Sequence, residues 1–355
     1  MFEPPIQDIL TARLQPLPAL VMAPSLRRDI DELVAIHIPA GVAAVVDDVN
    51  TSTAYGDLVF RALKTKFSAT HITLSKAVQA DEIALAEIET KAKHADLLVA
   101  VGSGTINDLV KFAAHKAGKP YIIFPTAASM NGYVSANASI ALAGKKESHA
   151  ASLPIAVMVD MQMLASAPTR LSQAGLGDSL ARPTAQADWL LSHYLTGEEY
   201  DAAPYDIIKP YEPAVFGQAE GIARGDFVAI ESLLKLLLLS GFGMTIAGSS
   251  RPASGAEHMI AHMLSDGTYL HGEEIAVTAV EMAALQAKLL AGGKCVAASD
   301  AIAAIHIPPQ ELALIRKRAR LPETPEALGW SAEGYAHALA NAKFTRDRFT
   351  CLNIG

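Results

Sequence analysis

Cysteine is nearly absent: the 355 residues include only Cys295 and Cys351. Two such residues form neither a disulfide framework nor a thiolate metal site, which fits a reducing compartment. The N-terminus lacks a basic stretch leading into an apolar one, so no secretory leader is expected and the cytoplasm is the expected location. Uninterrupted apolar runs are also short. The longest, Leu233 to Met244, contains Lys235 and falls below the about 20 residues of a bilayer span. It reads as a buried helix, and no membrane insertion is expected. Positive charge is not in excess. A net charge of -8 argues against a nucleic-acid partner, while a local cluster of donors can still hold a small anion. There is no internal repeat, low-complexity tract or long linker. Hydrophobic residues make up 51% of the chain, enough for two domains with a large buried core.

The first half alternates strand and helix. Helix is expected over 25–37, 53–66 and 81–92, with strands at Val42–Val46, His71–Leu74, Leu97–Val101, Tyr121–Phe124 and Ala156–Val159. A hairpin is expected over 134–146, turning near Ala143-Gly144-Lys145. This order predicts a parallel sheet with helices on both faces, a Rossmann-like α/β domain over residues 1–162. Beyond Met161 the segments are Ala/Leu-rich and helical: 177–195, 227–244, 255–265, 273–290, 309–318 and 332–344. An all-helical domain is therefore expected over 163–355, with the cleft between the domains as the expected ligand site. The apolar helices leave room for a homo-oligomer interface.

The stretch LLVAVGSGTINDLVKFAAHKAGKPYIIFPTAASMN, Leu97 to Asn131, is the most informative. A strand that breaks at Gly102-Ser103-Gly104 and enters a helix aims free backbone N–H groups and a positive helix end at whatever lies above the turn. Phosphate or pyrophosphate suits that position; a plain βα turn, with glycine for steric reasons, is the bland alternative. Asn107 and Asp108 fall in the first turns of the helix, and Thr126 and Ser129 supply hydroxyls beside the next strand end. Any of these can be a simple cap. Asp47 and Asp48 end the first strand, where an acid can bind ribose hydroxyls and favour NAD over NADP; exposure to water is the alternative.

Asp178, in AGLGDSLARPTA, is expected at or near a helix start, where aspartate is favoured as a cap. His258 and His262 are four apart and share a helix face, and His271 follows shortly. An aspartate with two or three histidines suits a divalent metal with an open position. His262 can equally orient a ligand from outside the shell. Glu257, Glu273 and Glu274 are candidate supporting acids, with at least one expected on an exposed helix face. Lys145, Arg182, Arg251 and Arg346 are cations at hand for a phosphate, each read by default as solvated surface.

Taken in order, GSGTINDLVKFAA, PTAASMNGYVS, GLGDSLAR, SGAEHMIAH, LHGEEIAV and TRDRFTCL resemble the superfamily of metal-dependent polyol dehydrogenases and dehydroquinate synthase, and most closely its sn-glycerol-1-phosphate dehydrogenase branch. The resemblance covers roughly residues 95–350. It implies a metal (Zn²⁺, Ni²⁺ or Fe²⁺) held by Asp178, His258 and His271, with His262 close by without ligating. It implies an NAD(P) pyrophosphate over Gly102, Ser103 and Gly104, with Thr105, Asp108, Thr126 and Ser129 also touching the cofactor. The implied reaction is hydride transfer between sn-glycerol 1-phosphate and dihydroxyacetone phosphate. One departure stands out. The group usually carries an aspartate where this chain has Asn131, and an amide can neither take a proton nor carry charge. The alternatives are a dehydrogenase for glycerol or another small polyol, a dehydroquinate-synthase-like cyclase, and a non-catalytic nucleotide- and metal-binding homologue.

Overall fold

The computed structural model describes residues 2–293 and 296–354, so Cys295 lies outside the described residues. The chain groups into two compact units, residues 1–168 and 169–355. The short helix Met161–Ala165 stays with the first unit because Asp160 caps it through the Met163 amide (3.0 Å) and Gln162 bonds back to the Pro24 carbonyl.

In the first unit, strands β1 (Ala19–Ala23), β2 (Val42–Asp48), β3 (Ser68–Leu74), β4 (Leu97–Gly102), β5 (Tyr121–Pro125) and β8 (Ala156–Asp160) form one six-stranded sheet in the order β1-β8-β5-β4-β2-β3. All pairings are parallel. Strands β4, β5 and β8 are buried throughout and read as continuous apolar runs, as strands covered on both faces must. β6 (Asn137–Leu142) and β7 (Lys145–Ala150) make a separate antiparallel hairpin. Its turn falls at Ala143 and Gly144, both at positive φ (50° and 76°), the pattern of a two-residue hairpin turn. The helices are α1 (Pro4–Arg13), α2 (Ile30–His37), α3 (Asp57–Leu63), α4 (Glu82–Lys91) and α5 (Gly104–Ala117).

Three expectations need correction here. β1 and α1 were not anticipated; β1 is a five-residue, half-buried edge strand between prolines, too short to show a period. The single helix expected over 53–66 is instead a short capped turn at Val49–Thr51, a wide π turn at Ser52–Gly56, and then α3. Gly56 lies so close to the Asp47 carboxylate that a Cβ would overlap it, which sets the path of the chain there. The hairpin also runs further than expected, to Ala150.

The topology fixes where a ligand can sit. From β2 the chain steps outward to β3, then returns to β4 on the other side of β2 and continues to β5 and β8. The direction of winding therefore switches between β2 and β4. The carboxyl ends of strands at such a switch border a natural binding crevice, and Gly102 ends β4 there.

The second unit is helical, with no strand among its described residues: α6 (Thr169–Ser179), α7 (Ala181–Thr196), α8 (Phe227–Ile246), α9 (Ala256–Leu264), α10 (His271–Ala291), α11 (Pro309–Arg318) and α12 (Ala332–Asn341), with shorter turns between. Its core packs Leu190, Leu191, Met259, Ile260, Met282 and Leu289 together. Helix α8 is longer than the apolar run suggested. At 20 residues it passes a length and composition test for a membrane span, and 72% of its apolar window is buried inside the fold.

Candidate active site

The glycine turn is built as the sequence implied. Gly102 enters α5 so tightly that a Cβ would meet the Ile106 side chain, at 2.6 Å. Ser103 is the extended N-cap and its side chain makes no capping bond. Its carbonyl accepts the Asn107 amide at 2.9 Å, so the amides ahead of Asn107 have no partner within the helix. Gly104 and Thr105 are the first two helical residues, half-buried. The Thr126 amide donates to the Gly102 carbonyl (3.1 Å), which seats the PTAAS turn beside the glycine turn. Thr126 is buried and Ser129 half-buried. Tyr133 donates its hydroxyl to the Ala127 carbonyl at 2.7 Å and closes that turn.

Two expected cofactor residues are engaged inside the fold. The Asp47 carboxylate is fully buried and bonds His71 Nε2 at 2.6 Å. Near the end of β2 it is packed into the fold rather than lying in water, and its Oδ1 is buried with no partner. Asp48 instead caps the Val49–Thr51 turn through the Asn50 and Thr51 amides. Asp108 accepts the Ser139 amide at 3.0 Å and pins the hairpin to α5.

Lys111, which the sequence showed only as a lysine inside an apolar helical run, is wholly buried. Its ammonium donates to the Gly132 carbonyl (2.5 Å) and the Asn137 carbonyl (2.9 Å), with Ser135 Oγ at 3.4 Å and Asp108 at 3.6 Å. Burial lowers its pKa, although the Asp108 charge opposes that shift. Lys111 thus ties the segment after Asn131 to the helix that starts at the glycine turn. Asn131 itself is half-buried and precedes the short Gly132–Val134 turn.

In the second unit, Asp178, His258 and His271 come together. One ligand atom from each lies within 4.8 Å of the others. His258 Nε2 is 3.5 Å and His271 Nε2 4.0 Å from Asp178 Oδ1. Donors of a tetrahedral site with bonds of about 2.0–2.1 Å stand about 3.3 Å apart, so the three fit a divalent cation after a slight contraction. His262 sits beside them, its ring 5.4 Å from that of His271 and 6.2 Å from that of His258, but it gives no donor to the cluster.

Asp178 is not at a helix start. It is the penultimate residue of α6, before the break at Leu180. A carboxylate there sits at the unfavourable end of the helix dipole, so capping does not account for it. Two glycines bring its helix to the one carrying His271. A Cβ on Gly272 would overlap the Ala174 carbonyl, and one on Gly177 the Gly272 carbonyl. The backbones of α6 and α10 therefore touch, and the two ligands project from the contact.

None of the three glutamates is exposed. Glu257 accepts from His258 Nδ1 (2.9 Å), the Gly255 amide (2.5 Å) and the Thr184 hydroxyl (2.9 Å). Burial alone would raise its carboxyl; the bond to His258 and that residue's charge hold it below its usual range. Burial pushes His258 down, yet its bonds to Asp178 and Glu257 leave it raised overall. Glu273 takes a two-pronged bond from Arg170 (2.6 and 2.7 Å) and the Leu270 amide (2.8 Å), fixing the start of α10. Glu274 lies 4.0 Å from His271 Nδ1.

Of the expected cations, Lys145 is exposed and pairs with Glu147. Arg182 and Arg251 are not solvated surface: both are buried, Arg182 against Glu212 and Arg251 against Glu198. Arg346 is half-buried beside Ser254. Arg348, two residues on in TRDRFTCL, was not singled out, and its position in a charged, loop-like motif gave no sign of burial.

Residues 21–168 match the family described as iron-containing alcohol dehydrogenase. A glycerol-1-phosphate dehydrogenase of Thermococcus kodakarensis, named for NAD(P)+, is 37% identical over 248 residues, covering 69% of this chain and 71% of the relative. A protein of the same name from Bacillus licheniformis is 32% identical over 349 residues, covering 91% and 86%. Among solved structures, glycerol dehydrogenase from Schizosaccharomyces pombe superposes with a TM-score of 0.71 at 19% identity, over 95% of this chain and 84% of that one. At that identity the likeness shows the two-part fold alone.

Proposed function

We propose, since this chain belongs to the glycerol-1-phosphate dehydrogenases and carries the iron-containing alcohol dehydrogenase domain, that it interconverts sn-glycerol 1-phosphate and dihydroxyacetone phosphate with NAD(H) or NADP(H). The observation that carries the reading is the convergence of Asp178, His258 and His271 in a chain whose sheet ends in an open glycine turn. Asp178, His258 and His271 would hold a divalent cation, which would supply Lewis-acid polarisation of the substrate oxygen, and the glycine turn would hold a nicotinamide nucleotide, which would supply hydride chemistry.

This chain's residues do the rest. Glu257 holds the Nδ1 proton of His258 and leaves Nε2 facing Asp178. Asp178 contributes the negative charge of the donor set; Glu273 and Arg170 fix the turn that delivers His271. Gly102, Ser103, Gly104 and Thr105 offer backbone amides to a pyrophosphate. Thr126 and Ser129 border that turn, and Asp108 and Lys111 hold its surroundings in place. One carboxylate and two imidazoles suit Zn²⁺, Ni²⁺ or Fe²⁺, and Zn²⁺ is the reading we favour. With Asp47 bonded to His71, both nucleotides are expected to serve.

The test follows nicotinamide absorbance on protein of measured metal content, first with dihydroxyacetone phosphate and then with dihydroxyacetone. Metal-dependent oxidation of NADH or NADPH with the phosphorylated ketone is the expected result. Asn131 favours a second reading, a dehydrogenase for an unphosphorylated polyol, and turnover of dihydroxyacetone alone would select it. No turnover of either ketone at full metal occupancy would reject both readings.

A further inference from the structure

We infer that Arg346 and Arg348 form an anion subsite, placed to take the phosphate of the substrate whose oxygen lies at Asp178, His258 and His271. The identity of the anion rests on the proposed function; the existence of the subsite does not. Ion pairs account for the other basic groups considered: Lys145 with Glu147, Arg182 with Glu212, and Arg251 with Glu198. Among the described residues, Arg346 and Arg348 have no carboxylate at ion-pair distance. Their bonds go to neutral oxygens. Arg346 Nη1 donates to Ser254 Oγ (3.2 Å), while Arg348 donates to the Ser254 carbonyl and to Ser250 Oγ (3.2 Å).

Both guanidinium groups are half-buried, and a charge withdrawn from water without a counter-ion is costly. A third arginine, itself paired with Glu198, packs its charge beside them. Arg251 is only 2% exposed, and its Nη1 is buried with no acceptor. Burial, then repulsion from Arg251 and Arg346, pushes Arg348 down to about 10. Glu257, whose charge reaches both arginines, already serves His258, the Gly255 amide and Thr184. Glu198 is likewise committed to Arg251, so neither acid is at ion-pair distance from Arg346 or Arg348, and among the described residues the pair has no carboxylate of its own.

Its location names the ligand. Ser254, the shared partner of both arginines, lies four residues before His258 on the segment leading into α9. A phosphate monoester with its carbinol or carbonyl oxygen at the three donors would carry its phosphate a few bonds away. Two guanidinium forks match a phosphate dianion in charge and in planar, two-point geometry. The nucleotide phosphates are the other source of such chemistry, and a shift in the preference between NADH and NADPH would mark them. The substrate phosphate is the occupant we assign.

Arg348 also clamps the 250–254 segment, so Arg346, with its single neutral bond, is the residue to vary. Arg346→Gln and Arg346→Lys would be compared with the wild-type metal-loaded enzyme. In Arg346→Gln, kcat/KM for dihydroxyacetone phosphate relative to dihydroxyacetone should fall about tenfold or more, mainly through KM. Calorimetric binding of inorganic phosphate should weaken in parallel, and Arg346→Lys should recover part of both. The preference between NADH and NADPH should not move. An equal loss on both ketones with phosphate binding unchanged would make Arg346 a structural residue and overturn the inference. A changed NADPH preference would assign the site to the nucleotide and overturn it too. If the wild type reduces no phosphorylated ketone yet binds phosphate through Arg346, the subsite stands and the proposed function falls. If it reduces dihydroxyacetone phosphate with no dependence on Arg346, the function stands and the subsite falls.

Discussion

Glu257 decides which nitrogen of His258 is available, because its carboxylate accepts the Nδ1 proton. Glu257→Gln keeps the shape and loses the charge, and its amide nitrogen would face one of three donors. Metal affinity should drop by about 10–100-fold, read by competition with a chromophoric chelator; unchanged affinity would show that His258 is oriented by packing alone. A second buried carboxylate acts through pH. Burial, reinforced by the Glu257 charge, pushes Asp188 up to about 6 from 3.8. A raised folded-state value means the native protein binds the proton more tightly than the unfolded chain. Asp188 therefore stabilises fully below about pH 4, and that contribution is lost as pH rises to about 6. In denaturant titrations, the stability of wild type minus that of Asp188→Asn should fall across this window and flatten above it. A flat difference throughout would remove Asp188 as the linked group. At this scale the donor types were legible, since an aspartate and spaced histidines announce themselves. Burial was not: at least one of Glu257, Glu273 and Glu274 was expected on an exposed face and Arg251 on solvated surface, because partners such as Thr184, Arg170 and Glu198 lie far along the chain.

The site depends on how closely two helices approach. Gly272 meets the Ala174 carbonyl without a Cβ between them. Gly272→Ala must push α10 from α6, so it should cost about 1–3 kcal/mol of stability by overpacking and lower the bound-metal stoichiometry with it. Gly217→Ala is the matched control. Gly217 ends a short helix with nothing near its missing Cβ, and the change should be neutral or mildly stabilising. If both variants melt and bind metal alike, close helix contact is not what sets the ligand spacing. Strands β4, β5 and β8 and helix α5 were legible because apolar runs and a glycine turn carry strong local signals. The position of Asp178 was misread because Gly175 and Gly177 look like a break before a helix, whereas here they serve helix packing. β1 escaped notice because five residues at a sheet edge carry no usable period.

On the scale of the whole molecule, the two parts of the proposed site fall in separate compact units: all three candidate donors lie within 169–355 and the glycine turn within 1–168. A ligand stabilises only the state that binds it. Chelation should therefore raise hydrogen exchange in peptides around residues 174–180, 254–264 and 270–278, and leave those of β4 and α5 unchanged. A uniform loss of protection across both units would contradict this division. The alternation of strand and helix followed by helix alone made the two-unit plan legible. The winding order of the sheet was not, because no local pattern says which side of β2 receives β4. That order also imposes a schedule on the newborn chain. Among the described strands β1 pairs only with β8, Ala19 against Ala156, and Asp160 at the end of β8 gathers the Ser25 hydroxyl, the Leu26 amide and the Tyr55 hydroxyl. The first strand of this sheet therefore waits for the last, and its pairing edge stays open until residue 160 has been made.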